Sequence, residues 1–192
     1  MAGQPARRRR RAGPAEPADT QQELGPPADP ESVARTILLS KLTAQARSRK
    51  ELAEALAAKA VPDDVAERVL DRFEQVGLVD DAAFADLWVR SRQSSRGLAR
   101  RALAHELRGK GVDAELISAS LEQVHPDDEQ QTARRLVERK LRSTRGLARI
   151  VRTRRLVGML ARKGYPPGAA MQVVREALAA EESDDKADSW SS

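Results

Sequence analysis

The stretch VGLVDDAAFADLWVRSR, residues 76–92, decides the fold. It joins Gly77, the adjacent carboxylates Asp80 and Asp81, and the aromatics Phe84 and Trp88, in a chain with only 3% aromatic residues. An acid pair of this kind serves either proton-transfer chemistry or the start of a helix. Its neighbours favour the helix. Gly77 can take the left-handed conformation that closes a preceding helix. Asp80 is then an N-cap, and Asp81 lies in the first turn, where a negative charge meets the positive end of the helix dipole. Phe84, Leu87 and Trp88 follow at i, i+3 and i+4, which predicts a single apolar face. Burying Phe84 or Trp88 is worth roughly 1.5–3 kcal/mol each. The carboxylate pair is therefore structural.

Working outward, the same grammar recurs. RKELAEALAAKAVPDDVAERVLDRF from 49, RRALAHELRGKGVDAELISASLEQV from 100 and TRRLVGMLARKGYPPGAAMQVVREAL from 153 align. Leu52, Leu103 and Leu156 correspond, as do Leu56, Leu107 and Leu160. Lys59, Lys110 and Lys163 follow, then Ala60, Gly111 and Gly164, then Val61, Val112 and Tyr165. A Leu pair four apart marks one helix face, and the next helix opens at Pro62, Asp113 or Pro167. Ser48 and Glu51 have capping-box spacing. Lys59, Lys110 and Lys163 sit where a cation offsets the helix dipole, and Tyr165 replaces an aliphatic and belongs to the core. HPDDEQQ, with Pro126 and Asp127, is a further helix start leading to Leu136, Val137 and Leu141.

The repeat predicts an all-α fold of elongated tandem three-helix repeats. The expected divisions are a disordered Arg/Pro-rich leader over 1–28, a leading helix over 29–46 and a first three-helix repeat over 47–96. A second repeat over 97–142, a partial third over 143–180 and an acidic tail over 181–192 complete the row. The leading helix has Asp29 as cap, Pro30 at its first position, and Val33, Ile37, Leu38 and Leu42 facing inward.

The 192 residues carry a formal charge of +5, unevenly spread. Residues 51–86 hold ten acids against three bases, residues 90–110 seven bases against Glu106, and residues 134–163 twelve bases against Glu138. Such polarity predicts an anionic partner for the middle and C-terminal parts. Cysteine is absent, which excludes disulfides, thiolate nucleophiles and Cys-ligated zinc. His105 and His125 have no companions at metal-ligand spacing. There is no P-loop, dinucleotide turn or nucleophile–base pair, so neither an enzyme nor a cofactor is expected. No apolar run approaches the ~20 residues of a membrane span. A cytoplasmic monomer without membrane contact is expected.

GLVDDAAFADLWVRSR followed by RGLARRALAHELRGKGVDAELISASL resembles the signature of the RecX family of bacterial regulatory proteins. The resemblance covers about 29–180 and includes the leading helix. It implies tandem three-helix repeats that lodge along the groove of the RecA–single-stranded DNA filament. It also implies inhibition of RecA ATPase, strand exchange and coprotease-promoting activity, hence a place in recombination, DNA repair and the SOS response. The expected contacts are Arg90, Arg92, Arg96, Arg100, Arg101 and Arg108 from the middle, and Arg149, Arg152, Arg154 and Arg155 from the last repeat. Their targets are acidic filament surface and, weakly, DNA phosphates. The competing reading is a helix-turn-helix-like protein that binds nucleic acid directly, without RecA. RGLARRALAHELRGK offers Arg and Ala where a base-reading helix usually shows Asn, Gln, Ser or Thr.

Overall fold

The computed structural model describes residues 29–190, with side chains as far as 183. The expected leader over 1–28 lies outside the described residues, as do Ser191, Ser192 and the side chain of Trp190. Nine α-helices account for the described residues, with no strand among them: α1 Pro30–Ala44, α2 Arg49–Ala57, α3 Asp63–Gln75, α4 Asp81–Arg96, α5 Arg100–Gly109, α6 Ala114–Glu122, α7 Pro126–Leu141, α8 Arg149–Arg162 and α9 Pro167–Trp190. A 3-10 turn, Arg142–Thr144, follows α7.

The helices start where the sequence supplies caps. Asp29 accepts from the backbone of Glu31 and Ser32, and Asp80 from that of Ala83. Ser48 and Glu51 form a reciprocal capping box. Pro30 and Pro126 occupy first-turn positions, where a missing N–H costs nothing.

Three separate cores group the helices in threes. The first joins Ala34 and Leu38 of α1 to Leu52 and Leu56 of α2 and to Val65, Val69, Leu70 and Phe73 of α3. The second joins Phe84, Ala85 and Val89 of α4 to Leu103 and Leu107 of α5 and to Ile117 and Leu121 of α6. The third joins Leu136 and Val137 of α7 to Leu156 and Leu160 of α8 and to Val173, Val174 and Leu178 of α9. Every Leu of the three repeated pairs is fully buried.

This grouping differs in phase from the one expected. The period of the Leu pairs sets the length of a unit but not where it begins. Packing begins each unit one helix earlier, so α1 is the first helix of the first unit rather than a leader. Likewise α4 opens the second unit, and the third has all three helices. Phe84 and Trp88 accordingly pack with α5 and α6, not with Phe73. Leu87 is 51% exposed, because Ala85 and Val89, beside Phe84 and Trp88, complete the inward face. Helix α9 continues past residue 180, and Glu181 is buried against α8 rather than belonging to a free tail.

Two joints of the same design connect the units. At the first, the Ser48 hydroxyl at the start of α2 donates to the Lys110 carbonyl at the end of α5, at 2.7 Å. The Arg49 backbone N–H donates to Asp81, at 2.8 Å. Lys50 reaches the Gly109 carbonyl, and Lys110 pairs with Glu51 at 2.6 Å. At the second joint, the Ala99 backbone N–H donates to the Lys163 carbonyl and that of Arg100 to Glu129, both at 2.9 Å. Lys163 donates to the Arg96 carbonyl, and the Tyr165 hydroxyl to that of Gly97. In both cases the N-terminus of a unit's second helix meets the Lys-Gly turn of the next unit and a first-turn carboxylate from that unit's first helix.

The glycine in that turn answers two requirements. Gly111 and Gly164 have φ of +76° and +90°, which disfavour a side chain. A Cβ on Gly164 would also lie 2.6 Å from the Cβ of Ala102 and 2.7 Å from its backbone N. In the first unit the equivalent residue is Ala60, with φ +55°, and among the described residues no other unit packs on that turn. Among the described residues, every hydrogen bond between units joins consecutive ones. The result is a row rather than a ball.

The two joints differ in chemistry. The first is charged: burial alone would raise the Glu51 carboxyl, but Lys110, the Ser48 backbone N–H and Arg47 together hold it below its ordinary value. Lys110 also stands 4.2 Å over the Trp88 ring. The second is largely apolar, with Ala99 and Tyr165 in the core of the third unit. Burial pushes the Tyr165 phenol up to about 12, with Glu129 adding to the shift. It also lowers Lys163, as do the nearby Arg139 and Arg96 cations.

Candidate functional site

The candidate site is the set of basic side chains that the second and third units leave facing solvent. On α5, Arg101, His105 and Arg108 fall at i, i+4 and i+7, on the face opposite Leu103 and Leu107, and all three are exposed. Arg100, at the start of the helix, is partly buried, with its backbone engaged at the second joint. None of Arg100, Arg101 and Arg108 has an ion-pair partner among the described residues.

Arg92 and Arg96 of α4 are partly committed. Both converge on Glu106, at 3.6 and 3.7 Å. The Arg92 guanidinium stacks 4.0 Å over Trp88, whose indole N–H donates to the same Glu106 at 2.8 Å. That cluster fixes α4 against α5, and the Arg92 Nε has no hydrogen-bond partner among the described residues. Arg90 points elsewhere. It lines a groove of ≈ 700 Å³ between α4 and α7 with Arg135, Arg139, Asp128 and Glu138, where the charges are mixed.

The four expected residues of α8 divide between two faces. Arg149 and Arg152 turn toward α9 and pair with Glu182 and Glu181. Glu181 is buried; burial would raise it, but Arg152 and Arg145 together hold it below its ordinary value. Arg154 and Arg155 face outward, without an ion pair among the described residues, and border a groove of ≈ 760 Å³ with Lys140 and Arg162. Arg101 and Arg154 occupy equivalent positions, two residues before the aligned Leu103 and Leu156. The structure thus brings together Arg154 and Arg155, groups Arg100, Arg101 and Arg108 on α5, and ties Arg92, Arg96, Arg149 and Arg152 into internal pairs.

Sequence reasoning missed Arg135, Arg139, Lys140 and Arg162. The signal was present in the run of twelve bases over 134–163, but only the packed helices show that Arg135 and Arg139 join Arg90 while Lys140 and Arg162 join Arg154 and Arg155. Asp80 and Asp81 both serve the fold, as their place at a helix start suggests. Asp80 caps α4, and Asp81 serves the first joint, where burial raises its carboxyl against the opposing effect of the Arg49 N–H. Among the described residues no group of three His, Asp or Glu side chains could hold a metal ion. No described helix is long and apolar enough to cross a membrane.

Comparison with known proteins agrees with this three-unit division. The models of the first, second and third three-helix domains of RecX match residues 34–73, 80–121 and 127–174. Regulatory protein RecX of Streptomyces coelicolor is 57% identical over 159 residues, covering 83% of this chain and 85% of the relative. That of Thermobifida fusca is 53% identical over 163 residues, covering 82% and 88%. The crystal structure of RecX from Lactobacillus salivarius superposes with a TM-score of 0.70 at 18% identity, over 79% of this chain and 99% of that one. A second crystal structure of regulatory protein RecX gives 0.68 at 23% identity, over 76% and 72%.

Proposed function

The chain belongs to the RecX family, and on that premise we propose that it binds RecA and the RecA–single-stranded DNA filament. In doing so it inhibits RecA ATPase, strand exchange and coprotease-promoting activity. It acts in the cytoplasm as a monomer and catalyses no reaction. The observation that carries this reading is the placement of Arg101 and Arg154. They are exposed, unpaired among the described residues, and equivalent in consecutive units linked by a repeated joint. A row of units offering cations at regular intervals suits a polymer whose own acidic surface recurs at regular intervals. Several weak contacts made together raise avidity without one tight site. Arg100, Arg101, Arg108, Arg154 and Arg155 make the contacts, Arg90 adds to them from the α4–α7 groove, and Arg92, Arg96, Arg149 and Arg152 hold the helices that present them. A bound row that bridges neighbouring protomers opposes the motions ATP turnover needs.

The test is RecA ATPase on single-stranded DNA with the protein well below one per protomer. Strong inhibition supports the filament reading. Equal binding to DNA with and without RecA, falling steeply with salt, would instead identify a direct nucleic-acid binder.

A further inference from the structure

The groove between the end of α7 and the outer face of α8 carries charge of one sign beside apolar surface. Lys140, Arg154, Arg155 and Arg162 border it, and among the described residues no carboxylate lines it. Ile150 and Val151, in the first turn of α8, line it too, and Ile150 is 79% exposed. Water gains nothing from Ile150, and four neighbouring cations repel one another; both features are unfavourable for a free surface and favourable for an occupied one.

Gly158 adds an independent pointer. It lies on the same outward face of α8, at i+7 from Val151 and i−4 from Arg162. A glycine inside a helix costs about 1 kcal/mol relative to alanine. The fold gives no reason for one here: a Cβ would meet only the tip of Arg162, at an ordinary 3.5 Å. What glycine does provide is room for another backbone to approach α8 closely. Helix α9 packs on the other side of α8, so it does not fill that room.

We propose that this groove docks an acidic peptide segment of a partner protein, one with aliphatic side chains beside its carboxylates. The carboxylates meet Lys140, Arg154, Arg155 and Arg162, the aliphatic groups cover Ile150 and Val151, and the backbone passes over Gly158. A nucleic-acid strand fits less well. Among the described residues no aromatic side chain lines the groove to stack a base, and phosphates leave the apolar surface uncovered. The inference rests on the filament reading only for the identity of the partner; the chemistry of the groove stands apart from it.

The experiment titrates the full chain into fluorescein-labelled peptides at moderate salt and reads anisotropy. One probe has three repeats of Glu-Glu-Leu-Leu, the second replaces Glu by Gln, and the third is a short oligo-dT strand. The Glu probe is expected to bind best. Arg154→Glu with Arg155→Glu should weaken it by about tenfold or more, and Ile150→Ser should weaken it as well. Gly158→Ala should weaken it while raising the thermal midpoint, a split that a purely structural glycine would not give. Equal binding of the Gln probe, indifference to these substitutions, or tighter oligo-dT binding lost by the same variants each overturns the proposal. The RecA ATPase assay keeps the two readings apart. Inhibition without peptide binding removes the groove and leaves the filament reading. Peptide binding without inhibition removes the filament reading and leaves the groove.

Discussion

Replacing Gly164 by alanine tests the second joint directly. The residue has φ +90°, so a side chain there carries a left-handed cost of roughly 1–2 kcal/mol. The new Cβ would also stand 2.6 Å from the Ala102 Cβ and 2.7 Å from the Ala102 backbone N. Neither atom can rotate away, so either the units separate or the contact is borne as overpacking, at roughly 1–3 kcal/mol. The two costs together come to about 2–5 kcal/mol. Gly77→Ala is the matched control: its φ is +73°, and a Cβ there would meet nothing within 4 Å. It bears the conformational cost alone. In urea, with a slope of about 2 kcal/mol per molar, Gly164→Ala should lower the unfolding midpoint by about 1–2.5 M and Gly77→Ala by about 0.5–1 M. Circular dichroism supplies the midpoint. Hydrogen exchange at the Ala99 amide, bonded to the Lys163 carbonyl, shows whether the joint itself has opened. Equal shifts for the two variants, with Ala99 still protected, would refute the idea that close approach of neighbouring units dictates glycine at 164.

Further outcomes follow from the same contacts. Because Glu51 titrates below its ordinary value, its ionised form stabilises the first joint at pH above 4.5, and that stability is lost as pH falls through its folded value. Glu51→Gln should therefore lower the thermal midpoint at neutral pH and leave it nearly unchanged in strong acid. Asp81 works in the opposite sense: its raised value means that ionisation opposes folding, and Asp81→Asn should lose less stability at neutral pH than the hydrogen bond to Arg49 alone would suggest. Tyr165→Phe leaves the Gly97 carbonyl without its partner and should cost about 1 kcal/mol in urea titration. In the unaltered protein, ultraviolet titration should find the phenol protonated until about pH 12 or until unfolding. Phe84→Ala removes the one buried aromatic from the core of the second unit and should cost roughly 3–5 kcal/mol, read as a lowered midpoint in urea titration.

Helices and unit length were legible because Leu pairs, caps and Lys-Gly turns are local signals. Asp80, Ser48 and Gly77 act as their positions in sequence suggest. The phase of the repeat was not legible, since a cyclic pattern has no marked beginning and only the separate cores assign α1, α4 and α7 to first place. Leu87 was misplaced because its spacing from Phe84 and Trp88 matches one side of the inward face, while Ala85 and Val89 occupy the other. Lys110 and Lys163 were readable as helix-end cations. Their second role, clasping Glu51 and the Arg96 carbonyl across joints, depends on contacts 59 and 67 residues apart in sequence. A trace of it was nonetheless visible: glycine stands at 111 and 164, where a preceding unit docks, and alanine at 60, where none docks among the described residues. For the arginines, sequence gave density without direction. Arg149 and Arg152 lie within six residues of Arg154 and Arg155, yet they turn to α9 and leave the outer face to the others.

The most direct measurement of the central claim is RecA filament ATPase at moderate salt with Arg100→Glu and Arg101→Glu introduced together. These side chains have no ion-pair partner among the described residues, so the fold should survive their reversal, as circular dichroism can verify. The account predicts that about tenfold more of the variant is needed for the same inhibition. Inhibition undiminished at equal concentration would contradict it.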